Sequence, residues 1–239
     1  MLAREDLMLL DDLGSLSKDP YRFVLWAFDW GSGELEGETG PDEWQAAILI
    51  SIRDGLLTIN QAIQIAVASG HGIGKSALIA WIVLWGMSTL PDAKGVVTAN
   101  TDTQLRTKTW PEVSKWFRLF IAKRFFVMTA TSLYSADPAH EKTWRCDIIP
   151  WSVNNPEAFA GMHNQGKRIL LLFDEASKIH DLIWEVAEGA LTDENTEILW
   201  VAFGNPTRNT GRFRECFRKY RHRWKTQQID SRTAKHTNK

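Results

Sequence analysis

Cysteine is scarce. Cys146 and Cys216 are the only two in 239 residues, and they lie far apart. Neither a disulfide scaffold nor a cysteine-based metal cluster can organise the chain, and a reduced, cytosolic setting fits. Long hydrophobic runs are missing too. The longest, residues 77–90, falls short of the roughly 20 apolar residues a membrane span needs, so no membrane partner is expected. The N-terminus, Met1 to Asp12, mixes acids with leucines and lacks the basic start of a secretory signal. No internal repeat or low-complexity segment stands out. With a net charge of −1, bulk charge does not announce a polyanion partner.

What is present is an ordinary globular balance, 44% hydrophobic and 24% charged, enough for one sizeable core. One α/β domain with small extras fits better than two full domains. The charge is unevenly spread. Residues 1–60 hold four basic and twelve acidic side chains, whereas the segment from Arg208 onward holds eleven basic ones against Glu215 and Asp230. That asymmetry suits a basic face or tail that meets phosphates, or simply a solvated helix face.

Periodicity predicts a short acidic helix over 1–18, an apolar patch over 21–28, a Gly-rich acidic loop over 31–40 and a helix over 42–54. Residues 63–68 read as a strand, 76–87 as a buried helix, 95–99 as the next strand. Asn100 and Thr101 cap a helix running toward Pro111, and a second helix is expected over 112–122. Strands are expected over 125–133, 143–149, 168–173 and 197–203, a loop over 154–165 and a helix over 179–190. Strands alternating with helices predict an α/β fold with a mostly parallel central sheet and helices on both faces. The chain then divides into an N-terminal extension (1–60) packed on a core (61–207), followed by a basic segment or start of a linker (208–239).

Two segments carry the chemistry. Behind the first strand comes Ser69-Gly70-His71-Gly72-Ile73-Gly74-Lys75-Ser76. Its glycines let successive N–H groups turn inward as an anion nest, and the dipole of the following helix adds positive potential. Lys75 can reach the β- and γ-phosphates, and Ser76 can ligate magnesium. About 100 residues on, the apolar run Ile169–Phe173 ends in Asp174-Glu175. Carboxylates at the tip of a buried parallel strand point into the crevice where such sheets bind ligands. Asp174 suits magnesium, and Glu175 suits a general base for the attacking water. Two adjacent acids at a strand end also suit a helix N-cap, but the loop upstream favours the metal and base roles.

Other candidates are less specific. Asn205, in Gly204-Asn205-Pro206-Thr207, sits where a polar side chain senses a γ-phosphate, or where a turn simply needs it, and Thr207 is a candidate nucleotide contact. Gln45 has an amide able to read adenine's donor and acceptor together, or is a surface glutamine. Arg106, Arg145 and Arg168 are possible neutralisers of transition-state charge. The twelve tryptophans are expected mainly in the core.

Taken together, these features resemble the ATPase domain of the large terminase subunits of tailed bacteriophages, an additional-strand catalytic-glutamate P-loop ATPase. The resemblance runs from about Asp19 to the C-terminus. It rests on the patch from Asp19-Pro20 to Trp30, Pro41 through Trp44-Gln45, the phosphate loop, Asn100 through Gln104, Leu172 through Ala176, and Gly204-Asn205-Pro206. It implies that Gln45 reads adenine, that residues 69–76 hold ATP, that Ser76 and Asp174 hold Mg2+, that Glu175 is the base and that Asn205 couples hydrolysis to movement. It further implies double-stranded DNA as the moved partner, a portal protein and small terminase subunit, a homo-oligomeric ring, and the host cell cytoplasm. The sequence departs from the family's pattern at two charge-donating positions: His71 stands where many members have arginine, and Ala160-Gly161 where others place one that reaches a neighbouring subunit. The 32 residues after Thr207 are too few for an RNase H-like nuclease, so ATP hydrolysis without DNA cleavage is expected. A helicase-like translocase of the same class and a nucleotide-gated assembly switch are the alternatives.

Overall fold

The structure, a computed structural model, describes residues 3–58, 61–154 and 162–232. Its centre is an eight-stranded sheet in the order β3-β4-β5-β2-β6-β7-β1-β8. The strands are β1 (Ile63–Ser69), β2 (Lys94–Thr98), β3 (Phe126–Met128), β4 (Ser132–Ser135), β5 (Arg145–Ile148), β6 (Arg168–Phe173), β7 (Glu197–Gly204) and β8 (Lys225–Ile229). From β5 through β8 every neighbouring pair is parallel, and only the β3–β4–β5 edge is antiparallel.

The middle strands are apolar at every position because both faces are covered. Side chains of β6 alternate: Leu170 and Leu172 join one core, Ile169, Leu171 and Phe173 the other. The first core lies under α4 (Lys75–Ser88), a helix apolar all round and buried from Leu78 onward. Gly86 lets it approach β6, since a Cβ there would lie 2.2 Å from Leu170 Cδ1. Helices α1 (Arg4–Ser15), α2 (Pro20–Ala27) and α3 (Glu43–Leu56) add their apolar sides to this core. The second core is closed by α7 (Asp181–Ala190) and by α8 (Arg212–Cys216). Eight of the twelve tryptophans are buried, which bears out their structural reading. Trp81 and Trp116 stack edge-on in one core, Trp184, Trp200 and Trp224 in the other.

Several elements differ from expectation. The patch over 21–28 is helix α2, started by Pro20 and by Asp19, whose carboxylate accepts from the Arg22 N–H. The strand expected over 125–133 is broken into β3 and β4 by a turn in which Thr129 Oγ1 accepts from the N–H groups of Thr131 and Ser132. The two helices expected around Pro111 form one run: α5 (Asp102–Gln104), a π-turn (Leu105–Thr109) and α6 (Trp110–Leu119). Pro111 sits in the first turn of α6, where its missing N–H is tolerated. The helix expected over 179–190 starts at Asp181, after a short 3-10 turn at Ala176–Lys178. Over its described residues the basic C-terminal segment is folded onto the core, with β8 paired to β1.

Arg168, a candidate charge donor, is instead a buried hub at the start of β6. Its guanidinium donates to Glu197, the Gly86 and Ser17 carbonyls and the Thr89 hydroxyl, and stacks 4.0 Å from the Trp85 ring. Burial pulls its pKa down to about 9, so it is still charged at neutral pH. Arg168→Met leaves Glu197 and three acceptors without their donor and is expected to lower stability by about 3–5 kcal/mol, read from urea unfolding. A loss under ~1 kcal/mol would show that the hub is dispensable.

Candidate nucleotide site

Strands β6, β7 and β1 are adjacent, parallel and end at the same edge, with β7 inserted between the other two. That edge gathers the phosphate loop after β1, Asn205 after β7 and Asp174-Glu175 after β6. The shared crevice expected from the sequence is therefore present. Arg145 and Arg168 open their strands at the opposite edge and cannot serve it; Arg145 is held by Asp147 at 2.6 Å. Arg106 lies on the nucleotide side, exposed in the π-turn, with its Nε on both oxygens of Asp102. Ala160-Gly161 falls outside the described residues.

In the loop, Ser69 is buried with its hydroxyl donating to Gly70 O, Ile73 anchors into the core, and His71 and Gly72 are exposed. Gly74 takes a left-handed φ of 88° just before α4, which glycine adopts freely. Gly70 is glycine for another reason: a Cβ there would lie 2.3 Å from the Ser231 hydroxyl, brought alongside by β8. Ser76 is the second residue of α4 and half-buried.

Lys75 is buried and donates to Gly70 O at 2.6 Å and to Asn205 Oδ1 at 2.9 Å. Burial lowers its pKa, and the Asp174 and Glu175 carboxylates oppose that shift. An ammonium can only donate, so it orients the Asn205 amide with its oxygen toward Lys75. The amide nitrogen then faces His71 Nε2 at 2.6 Å, and this ring nitrogen is the acceptor. Asn205 thus bridges the lysine and the histidine of the loop.

Asp174 is buried. One oxygen accepts from Thr109 Oγ1 at 2.6 Å and the other from the Glu175 N–H at 2.9 Å. Desolvation pushes its pKa up, with Thr109's hydroxyl pulling the other way. Thr109 escaped sequence reading; a hydroxyl between two expected helices carries no signal of its own, although the π-turn it closes is a form frequent at functional sites. Glu175 sits at φ 52°, a left-handed conformation costing on the order of 1–3 kcal/mol for a non-glycine residue. Its Oε2 is shielded from solvent with no hydrogen bond, and Lys178 Nζ stands 3.5 Å away.

Gln45 is placed differently from an amide presented to a base. It is buried, its nitrogen donates to Gly74 O at 2.9 Å, and its oxygen accepts from Asp42 N at 2.8 Å, completing a capping box on α3. Its polar atoms brace the loop. Thr207 lies exposed beyond Asn205, and its hydroxyl makes no hydrogen bond among the described residues.

Two tests follow from this geometry. A buried acid with a raised pKa destabilises the fold as pH rises from its ordinary 3.8 through the raised value, because the native state must then hold an unfavourable charge. Without nucleotide, Asp174→Asn should therefore melt above the parent protein at pH 7, with the gap closing below the ordinary carboxylate range. An equal gap at all pH values would refute the burial effect. Gly74→Ala, forced to φ 88° with its Cβ 2.8 Å from Gln45 Nε2, should lose about 1–3 kcal/mol in thermal unfolding and weaken ATP binding.

No family model matches the chain. It is 28% identical over 197 residues to a probable terminase large subunit of Enterobacteria phage P7, covering 80% of this chain and 37% of that protein. It therefore spans little more than a third of the length of that relative. Among solved structures, the large terminase of bacteriophage HK97 superposes with a TM-score of 0.59 at 14% identity, over 88% of this chain and 43% of that one. The large terminase ATPase domain of Thermus phage P74-26 does so with a TM-score of 0.51 at 18% identity, over 79% and 74%. In sequence the chain is related to a phage terminase large subunit, and its fold is that of the terminase ATPase domains.

Proposed function

We propose that this chain is the ATP-hydrolysing motor domain of a viral DNA-packaging terminase, which turns hydrolysis of Mg-ATP into movement of double-stranded DNA into a procapsid. The observation that carries the reading is the Lys75 contact set: a buried ammonium held between its own loop and Asn205, facing two carboxylates at the same sheet edge. A site that only bound nucleotide would have little use for Glu175, whose strained backbone and unbonded Oε2 suit a proton acceptor.

The residues divide the work. Amides of residues 70–76 and the α4 dipole bind the phosphates. Lys75 exchanges Gly70 O and Asn205 Oδ1 for phosphate oxygens, so nucleotide arrival removes the donor that orients Asn205. Its amide is then free to rotate, and His71 loses a fixed partner. Glu175 Oε2 takes a proton from the attacking water and aligns it toward the γ-phosphorus. Ser76 and Asp174 would hold magnesium. The donor set fits, since magnesium keeps several waters and needs only one or two protein oxygens beside the substrate's phosphates, and the buried Asp174 carboxylate calls for a cation. When bound, the ion supplies charge neutralisation on the phosphates. Gln45 acts on the base only indirectly, by fixing Gly74.

On this reading the partners are double-stranded DNA, a portal protein, a small terminase subunit and further copies of the chain in a ring, in the host cell cytoplasm. Among the described residues no helix is long and apolar enough to cross a membrane. Glu175→Gln should keep ATP affinity and lose roughly 10²–10⁴-fold in steady-state turnover. Lys75→Ala should weaken ATP binding itself, measured by titration with a fluorescent ATP analogue. Normal turnover in the first variant or unchanged affinity in the second would sink the respective role.

A further inference from the structure

Beside the end of β1 lies a cavity of about 220 Å³ that takes no part in the site just described. Three guanidinium groups line it, those of Arg208, Arg214 and Arg218. Arg208 and Arg218 are exposed and make no ion pair among the described residues, while Arg214 is shared with Glu215 at 3.1 Å. Ser177 lies on the inner wall, buried, and its hydroxyl has no hydrogen-bond partner. Like charges grouped around one opening repel, and an unmade buried hydrogen bond costs on the order of 1–3 kcal/mol. An anion rich in acceptor oxygens answers both.

We propose that this cavity seats a backbone phosphate of duplex DNA, and that its occupancy is felt at the ATP site. The inference rests on the translocation reading above. Guanidinium forks match phosphate geometry, and contacts of this kind bind duplex without reading sequence, as a translocating motor requires. Exposed Lys219 and Arg221 continue the positive surface from Arg218. The link to chemistry is short. Pro206 of the wall follows Asn205, and Ser177 follows Glu175 by two residues. Gly204 packs the two segments together, since a Cβ there would lie 2.9 Å from the Phe213 ring and 3.0 Å from the Ser177 nitrogen. A phosphate drawn inward by the arginines thus presses on the two segments that carry the base and the Lys75 latch.

The test is binding of a short labelled duplex of mixed sequence to the full chain across a salt series, beside ATP turnover with and without duplex. Arg208→Gln/Arg218→Gln should make the slope of log affinity against log salt shallower by roughly 2, at about 0.9 per lost phosphate contact. It should keep duplex-free turnover and lose the increment that duplex adds. Arg208→Lys/Arg218→Lys should retain the slope, and Lys123→Gln/Lys142→Gln, removing two exposed charges elsewhere, should leave it unchanged. A parental slope in the first variant, or an equal loss in the last, overturns the cavity assignment alone. So does loss of inorganic phosphate binding with duplex binding intact, which would mark a free-anion site. A parent protein that hydrolyses ATP yet has no affinity for duplex overturns the translocation reading, and the cavity assignment falls with it.

Discussion

The buried ammonium of Lys75 is the constraint around which the site is arranged. Out of water it needs acceptors, and it finds them in Gly70 O and Asn205 Oδ1. The first keeps the loop curled on itself. The second ties the loop to the neighbouring strand and, through the amide nitrogen, to His71. These contacts require β1 and β7 to end level, which their parallel register from Ile63–Leu199 to Ala68–Gly204 provides. The carboxylates after β6 arrive at the same edge one strand further on, because β6 and β7 are also in parallel register.

Unfavourable features concentrate at this edge. Asp174 is a desolvated acid, Glu175 is held in a left-handed conformation with an unbonded oxygen, and Lys75 is a cation pushed toward deprotonation. The rest of the molecule over-determines the fold that holds them. Strands buried on both faces, an all-apolar α4 and two tryptophan clusters supply the burial. At the far edge Arg168 joins α1–α2, α4, β6 and β7 through one guanidinium. Ends of the chain also close on the loop: α3 braces Gly74 through Gln45, and β8 lays Ser231 against Gly70.

The strongest local patterns were legible without coordinates. A glycine-rich turn between a β-branched run and an apolar helix has one good physical use, and a four-residue apolar run closed by two acids has few. Both segments lie where the sequence predicted, with strand limits within a residue. Weaker signals misled where a short polar stretch decides the element. The turn at Thr129 and the unbroken helix through Pro111 depend on side-chain hydroxyls and on register within a turn, which periodicity does not report.

Taken alone, the sequence determined the α/β alternation, the phosphate loop and the acidic strand end, because each is written in consecutive residues whose chemistry is local. Tertiary structure decided the rest. Only the strand order puts β7 between β1 and β6 and makes Asn205 a bridge. Only long-range packing turns Gln45 into a brace, Arg168 into a hub, Thr109 into the partner of Asp174 and the basic tail into a sheet strand. Those roles depend on which distant groups meet in space, and distance along the chain carries no record of that.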